Sequence, residues 1–236
     1  AAVEAGKLLP KMGYETQKKR FDFFKRFVAW MVAEEYLPKV PGADIKLLVK
    51  KPPKGKPKRL PYSPEQLHQI FQTPIYTGRS SVARSGVKGD LLMKDGRYWV
   101  PVIALFAGMR SGEIIQLLKA DIRSEEGIAY FDISKWEDEP EEEIKNLKTG
   151  SSYRRVPIHS AILNLGFLDY VADRPGGRLF PDLKLGSDGT YSQPWSKFWS
   201  NYGKTWKFRT PLHVFHSFRH NFVDALHDAN VTDAIA

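Results

Sequence analysis

Between residues 14 and 37, apolar side chains return at helical spacing. Phe21, Phe24, Phe27, Val28 and Met31 recur, with Lys18, Lys19, Lys25 and Arg26 between them. That pattern predicts an amphipathic helix, closed by Pro38. Periodicity then stops. Residues 46–59, KLLVKKPPKGKPKR, hold seven Lys or Arg, three Pro and one Gly in fourteen positions. Such a segment cannot bury enough apolar surface to fold, and its prolines keep it extended, so it reads as a linker. Order resumes at Ser63, a helix cap with Pro64 at the first helical position, and the helix runs through Ile70 and Phe71.

Residues 77–97 are polar and dotted with glycine and read as a loop. Residues 98–107, YWVPVIALFA, predict a buried helix that Gly108 stops. Ser111 is expected to cap a further helix from Gly112 to about Lys119. Residues 127–134 and 153–158 read as strands, with 148–152 as the turn before the second. Residues 160–172 read as helix, 178–181 as turn and 184–193 as loop. Trp195, Phe198, Trp199 and Tyr202 share one face of a helix over 194–206, read as core in preference to a base-stacking platform. A last helix spans 216–228. No segment repeats. The fold class is mainly α with a small antiparallel β-sheet (α+β).

Composition narrows the picture. A chain of 236 residues forms one large domain or two small ones. No run of about 18 apolar residues occurs, so no membrane partner is expected. Cysteine is absent, which excludes disulfides, thiol catalysis and thiolate metal sites and fits a cytoplasmic location. The first residue is not Met, so the natural N-terminus is expected upstream. Residues 1–60 hold fifteen Lys and Arg against six Asp and Glu, the whole of the +9 net charge. A basic arm on a neutral body suggests a polyanion partner, or a solubilising tail.

Three short motifs carry candidate chemistry. Gly108-Met109-Arg110-Ser111-Gly112-Glu113 sets an arginine just before a helix N-terminus, where backbone N–H groups favour an anion. Arg110 adds planar recognition of a phosphate, and Glu113 can hold its guanidinium. An ordinary surface ion pair explains the same residues. Lys148-Thr149-Gly150 places a lysine on a turn, either solvated or, if it reaches a site, a proton donor. His216-Ser217-Phe218-Arg219 puts His216 and Arg219 on one helix face; a capped helix with a core histidine explains it equally. His216 and His220 could form a metal pair, but no third ligand presents itself.

Their order and spacing decide. Gly108-Met109-Arg110-x-x-Glu113-Ile114, then Lys148-Thr149 ahead of Arg155-Val156-Pro157, then Leu179-Phe180-Pro181, then His216-x-x-Arg219-His220 resemble the catalytic domain of tyrosine recombinases of the phage-integrase family. The wording is most similar to prophage and genomic-island integrases. The resemblance implies three segments. Residues 1–45 would be the C-terminal part of a helical, DNA-binding core-binding domain, 46–60 a basic linker, and 61–236 the catalytic domain.

It also implies a site-specific recombinase that breaks and rejoins DNA through a 3′-phosphotyrosyl intermediate. Arg110 and Arg219 would neutralise the phosphate, His216 would hydrogen-bond it or move a proton, and Lys148 would protonate the leaving 5′ oxygen. Glu113 and His220 would support them. Lys18, Lys19, Lys50, Lys51, Lys54, Lys56, Lys58 and Arg59 are the expected DNA contacts. The implied partner is double-stranded DNA, bound by a homotetramer of the full-length protein with accessory bending or directionality factors. No cofactor and no metal are implied.

Two departures stand out. The family's nucleophile follows the His-x-x-Arg helix, whereas all ten tyrosines here precede it, the last being Tyr202. No nucleophile is therefore expected in this chain, and the 236 residues alone are expected to be inactive, with the C-terminal part of the catalytic domain missing. Residues 137–143 hold six acids in seven positions, a run that repels phosphate just ahead of Lys148. Two competing readings remain: a DNA-binding protein or integrase remnant without catalysis, and a metal-dependent nuclease using His216, His220 and Asp224.

Overall fold

The computed structural model describes residues 12–42, 44–46, 59–134 and 153–231. The acidic run 137–143, the Lys148-Thr149-Gly150 turn and Lys50, Lys51, Lys54, Lys56 and Lys58 lie outside those residues. The chain divides between Lys56 and Pro57 into two units, each described by itself.

In the first unit, α1 (Tyr14–Ala33) follows the periodic apolar positions. It ends ahead of Pro38 for a backbone reason. Glu35 adopts a left-handed φ of 61°, Tyr36 N–H donates to the Met31 carbonyl at 2.8 Å, and Glu35 N–H donates to Val32 at 3.1 Å. That pair of bonds satisfies carbonyls the helix end would otherwise orphan. Val28 is buried, while Phe23, Phe24, Phe27 and Trp30 are exposed.

The second unit opens with α2 (Pro64–Phe71). Ser63 and Gln66 cap it reciprocally, as Ser63 Oγ accepts from Gln66 N–H and Gln66 Oε1 accepts from Ser63 N–H. A short α3 (Pro74–Thr77) ends where the expected loop 77–97 begins, and the loop's last two residues belong to α4 (Gly96–Ala107). Asp95 starts α4 two residues early by accepting from the N–H groups of Arg97 and Tyr98. Gly108 ends α4 in a left-handed conformation, φ 60° and ψ 12°.

Arg110, not Ser111, is the N-cap of α5 (Ser111–Ile115). This helix is only five residues long and never reaches Lys119. Its dipole is correspondingly small, so the expected helix-terminus anion site is not what gathers charge here.

Among the described residues, three strands form one antiparallel sheet in the order β1-β2-β3: β1 (Ile122–Glu125), β2 (Ile128–Ile133) and β3 (Arg154–Pro157). The sequence does not predict β1, because Ile-Arg-Ser-Glu lacks an apolar alternation. Its pairing rests on a two-residue turn, Glu126 and Gly127, both at positive φ (50° and 79°). Gly166, φ 79°, breaks the predicted helix 160–172 into α6 (Ser160–Asn164) and α7 (Phe167–Ala172). The last elements are α8 (Ser192–Thr205) and α9 (Ser217–Asp228). Trp99, Phe131, Phe167, Phe180, Trp199, Phe208 and Phe218 are among the largest core side chains. Trp195, Trp199 and Tyr202 of α8 pack there, as expected of core residues.

Candidate active site

Gly108 sets up the site. Its turn reverses the chain between α4 and α5, and a Cβ there would lie 2.2 Å from Phe222 of α9. Only glycine accepts both the left-handed φ and that approach. Two bonds follow from it. The Gly108 carbonyl accepts from Arg219 Nη1, which moors α9 to the turn. Two residues on, Arg110 begins α5 and meets Glu113 one turn later.

Glu113 is the centre of the arrangement. Its side chain is 7% exposed. Oε1 accepts from Arg110 Nη1 at 2.7 Å and Oε2 from Arg110 N–H at 3.0 Å. Arg154, on β3, adds Nη2 to Oε2 at 2.9 Å and Nη1 to Oε1 at 3.5 Å. Burial alone would raise the carboxyl pKa. The hydrogen bonds from Arg154 and Arg110, with the charge of Arg154, outweigh it and hold the pKa below its ordinary 4.5.

The strand register explains why Arg154 arrives there. Arg154 pairs with Ile133 and Val156 with Phe131, both buried, so these side chains point inward. Arg155 pairs with Asp132, takes the opposite face, stacks on Tyr130 and meets Glu125 at 2.5 Å. The family resemblance runs through Arg155-Val156-Pro157 and does not include Arg154. Only the alternation of faces separates the two arginines, and Val156-Pro157 alone does not say which residue of β2 each one opposes.

Arg219 and His216 complete the cluster. Burial, then the charges of Arg110 and Arg154, lower the Arg219 pKa, and Glu113 opposes them. His216, the N-cap of α9, stays exposed. Partial burial of its ring, then His220, Arg219 and Arg110, pull its pKa below 6.5. The His216 and His220 rings stand perpendicular, 5.1 Å between centroids. Among the described residues, no group of three or more His, Asp or Glu is placed to hold a metal ion.

The structure therefore gathers Arg110, Glu113, His216, Arg219 and His220 and adds Arg154. Lys18 and Lys19 lie exposed on α1 in the other unit. Arg59 is exposed and donates to the Pro211 carbonyl. Among the described residues, two guanidiniums on one carboxylate and Arg219 near them form a positive cluster, suited to an anion carrying diffuse charge on several oxygens.

No protein-family model and no curated protein matches the sequence. Solved structures do. The Tn1549 transposon integrase (residues 82–397), in complex with circular intermediate DNA, superposes with a TM-score of 0.61 at 17% identity, over 95% of this chain and 70% of that one. The XerH site-specific recombinase, bound to its difH substrate in a pre-cleavage complex, superposes with a TM-score of 0.57 at 16% identity, over 94% and 56%. At these identities the likeness is one of fold. The chain has the tyrosine-recombinase fold, mainly α with a small antiparallel sheet.

Proposed function

We propose that this chain belongs to a site-specific DNA recombinase that breaks and rejoins duplex DNA by transesterification through a 3′-phosphotyrosyl intermediate. The observation that carries the reading is the pairing of Arg110 and Arg154 with buried Glu113, with Arg219 bonded to the Gly108 turn just ahead of Arg110 and His216 within reach of their charges. A phosphodiester under attack accumulates charge on its non-bridging oxygens. Fixed guanidiniums offset that charge without reorganising, and this role falls to Arg110 and Arg219. His216, biased toward its neutral form, is suited to accept the proton of an attacking hydroxyl. Lys148 is assigned protonation of the leaving 5′ oxygen. One phosphoester replaces another, so the reaction requires neither ATP nor a cofactor. Lys18, Lys19, Arg59 and the linker lysines Lys50, Lys51, Lys54, Lys56 and Lys58 are assigned to the DNA backbone. The full-length protein would act as a tetramer on DNA.

Among the tyrosines here, Tyr62, Tyr76, Tyr98, Tyr170 and Tyr202 have hydroxyls pushed upward chiefly by burial, Tyr62 to about 12. These are packing groups and poor nucleophiles. On this reading the nucleophile is a tyrosine beyond residue 236, as the family resemblance implies. Two assays on a nicked suicide DNA substrate test this. The full-length protein should trap a covalent adduct, and residues 1–236 should not. Tyr153, exposed next to Arg154 in sequence, is the tyrosine to eliminate: Tyr153→Phe should leave the full-length activity unchanged. Arg110→Ala or Arg219→Ala should each lower adduct formation by about 10²–10³-fold while most DNA affinity remains. Near-normal adduct formation in both variants would favour the second reading, a DNA-binding protein whose arginines serve only attachment.

A further inference from the structure

Glu113 is more fully occupied than a simple Arg110 partner would be. A carboxylate offers about four acceptor sites. Here each oxygen takes one donor from Arg110 and one from Arg154, at 2.7 and 3.5 Å on Oε1 and at 3.0 and 2.9 Å on Oε2. The carboxylate cannot rotate without losing bonds to both. Charge matters as much as geometry. One carboxylate facing Arg110 alone would cancel its charge, and Arg110 would be spent as a structural counterion. With Arg154 on the other side, a second guanidinium neutralises Glu113. Arg110 keeps its charge, its side chain being 46% exposed against 31% for Arg154.

We propose that Arg154 is a positioning residue for phosphate chemistry at this site: it serves as the counterion of Glu113 and so leaves Arg110 fixed in place, with its charge available to the scissile phosphate. The inference rests on the recombinase reading. It assigns no contact between Arg154 and DNA. A planar fork is required, because a lysine supplies the charge but not two parallel donors to two oxygens. Arg154 reaches Glu113 from β3, the strand that follows the segment bearing Lys148, so it also ties that strand to the start of α5.

A thermodynamic cycle in the full-length protein separates this role from its rivals. Arg154→Ala should lower suicide-substrate cleavage at saturating DNA at least tenfold, with DNA affinity changed less than threefold. Arg154→Lys should fall between wild type and Arg154→Ala. In the Arg154→Ala background, Glu113→Gln should restore part of the loss, because removing the carboxylate charge releases Arg110 again. Failure of Glu113→Gln to restore any cleavage overturns the proposal, as it would if Arg154 bound the phosphate directly. So does unchanged cleavage in Arg154→Ala.

A second measurement does not depend on activity. The Glu113 carboxyl, followed by ¹³C NMR in the same proteins, should titrate below 4.5 in wild type and move upward in Arg154→Ala and Arg154→Lys. An unmoved titration removes Arg154 as the counterion. Wild-type full-length protein that never cleaves DNA would overturn the recombinase reading instead, and the carboxyl titration would still decide what holds Glu113.

Discussion

The two units use positive charge in opposite ways. The first sixty residues carry the whole net charge of +9, and on α1 the cations ride on aromatic rings. Lys19 lies 5.7 Å from the Phe23 centroid and Lys25 lies 5.0 Å from Phe21. None of these holds a fixed ion pair among the described residues. Residues 61–236 are electrically balanced in sequence, yet they set two arginines on one buried carboxylate and a third, Arg219, within electrostatic reach of it. Net charge draws a polyanion from a distance. Chemistry needs charge held within a fraction of an ångström, and that precision comes from Gly108, Glu113 and a strand register. On the proposed reading, the region with the excess would bind and the region without it would react.

The comparison breaks most completely at Gly108. Gly108→Ala would force a Cβ into left-handed backbone and into Phe222. The backbone term costs about 1–2 kcal/mol, and the overpacking about 1–3 kcal/mol more. Chemical denaturation should register a loss of roughly 2–5 kcal/mol from these two terms together. Adduct formation should fall further than folding alone explains, because the same turn carries the acceptor for Arg219 and the approach to Arg110. An active, stable Gly108→Ala protein would mean that the turn does not set the site.

Gly108 is readable in the sequence, and so are Arg110, Glu113, His216 and Arg219, because each belongs to a short motif with a local mechanism: a helix stop, a cap partner, an i, i+3 face. Helices with equally local signals are readable too: α2 from its Ser63-Pro64 cap, α4 from its apolar run and α8 from its aromatic face. What escapes depends on pairings distant in sequence. β1 has no apolar alternation and exists because β2 pairs with it. Arg154 differs from Arg155 only in the face it takes, which β2 decides 21 residues away at Ile133. The α1 stop at Glu35 is a left-handed residue that no propensity marks, and Pro38 predicts the stop too late.

Charge removal on α1 sharpens the contrast from the other side. Replacing Lys18, Lys19 and Arg26 with Gln should make the salt dependence of DNA binding shallower, by a slope of about 0.9 for each phosphate no longer neutralised. The cleavage rate of the bound complex should not change. Arg219→Ala should do the reverse, altering the salt slope by no more than a single phosphate and cleavage strongly. Fluorescence anisotropy across a salt series, paired with single-turnover cleavage, measures both. Equal effects on binding and cleavage from the α1 set would erase the division of labour.

Acid tests whether Glu113 holds the cluster in the free protein. Its folded pKa lies below the 4.5 of an unperturbed carboxyl. The unfolded state therefore takes up the proton first as pH falls. The stabilisation is fully present above about 4.5 and is lost as pH drops through the folded value. Glu113→Gln should flatten that part of the stability–pH curve, measured as denaturation midpoint from pH 6 to pH 3. A variant whose acid limb overlays wild type would show that the carboxylate is not the acid-sensitive group. The α1 charges, paired with rings and solvent, should leave the limb unaltered when removed.

The smallest expected effect is the most local. His216 has a pKa below 6.5 because its ring is partly buried and faces His220, Arg219 and Arg110. A depressed histidine favours the neutral form in the folded state, so its share of stability is present above 6.5 and is lost as pH falls through the folded value. An anion in the cluster reverses two of those causes by offsetting the guanidiniums. Imidazole titration by NMR should therefore give a His216 pKa below 6.5 in the free protein and an upward movement with duplex DNA. Arg219→Ala should raise the free value by less, since burial and His220 remain. A His216 titration that duplex DNA leaves in place would mean that no anion offsets the guanidiniums beside it, and the cluster would then not be where the phosphate sits.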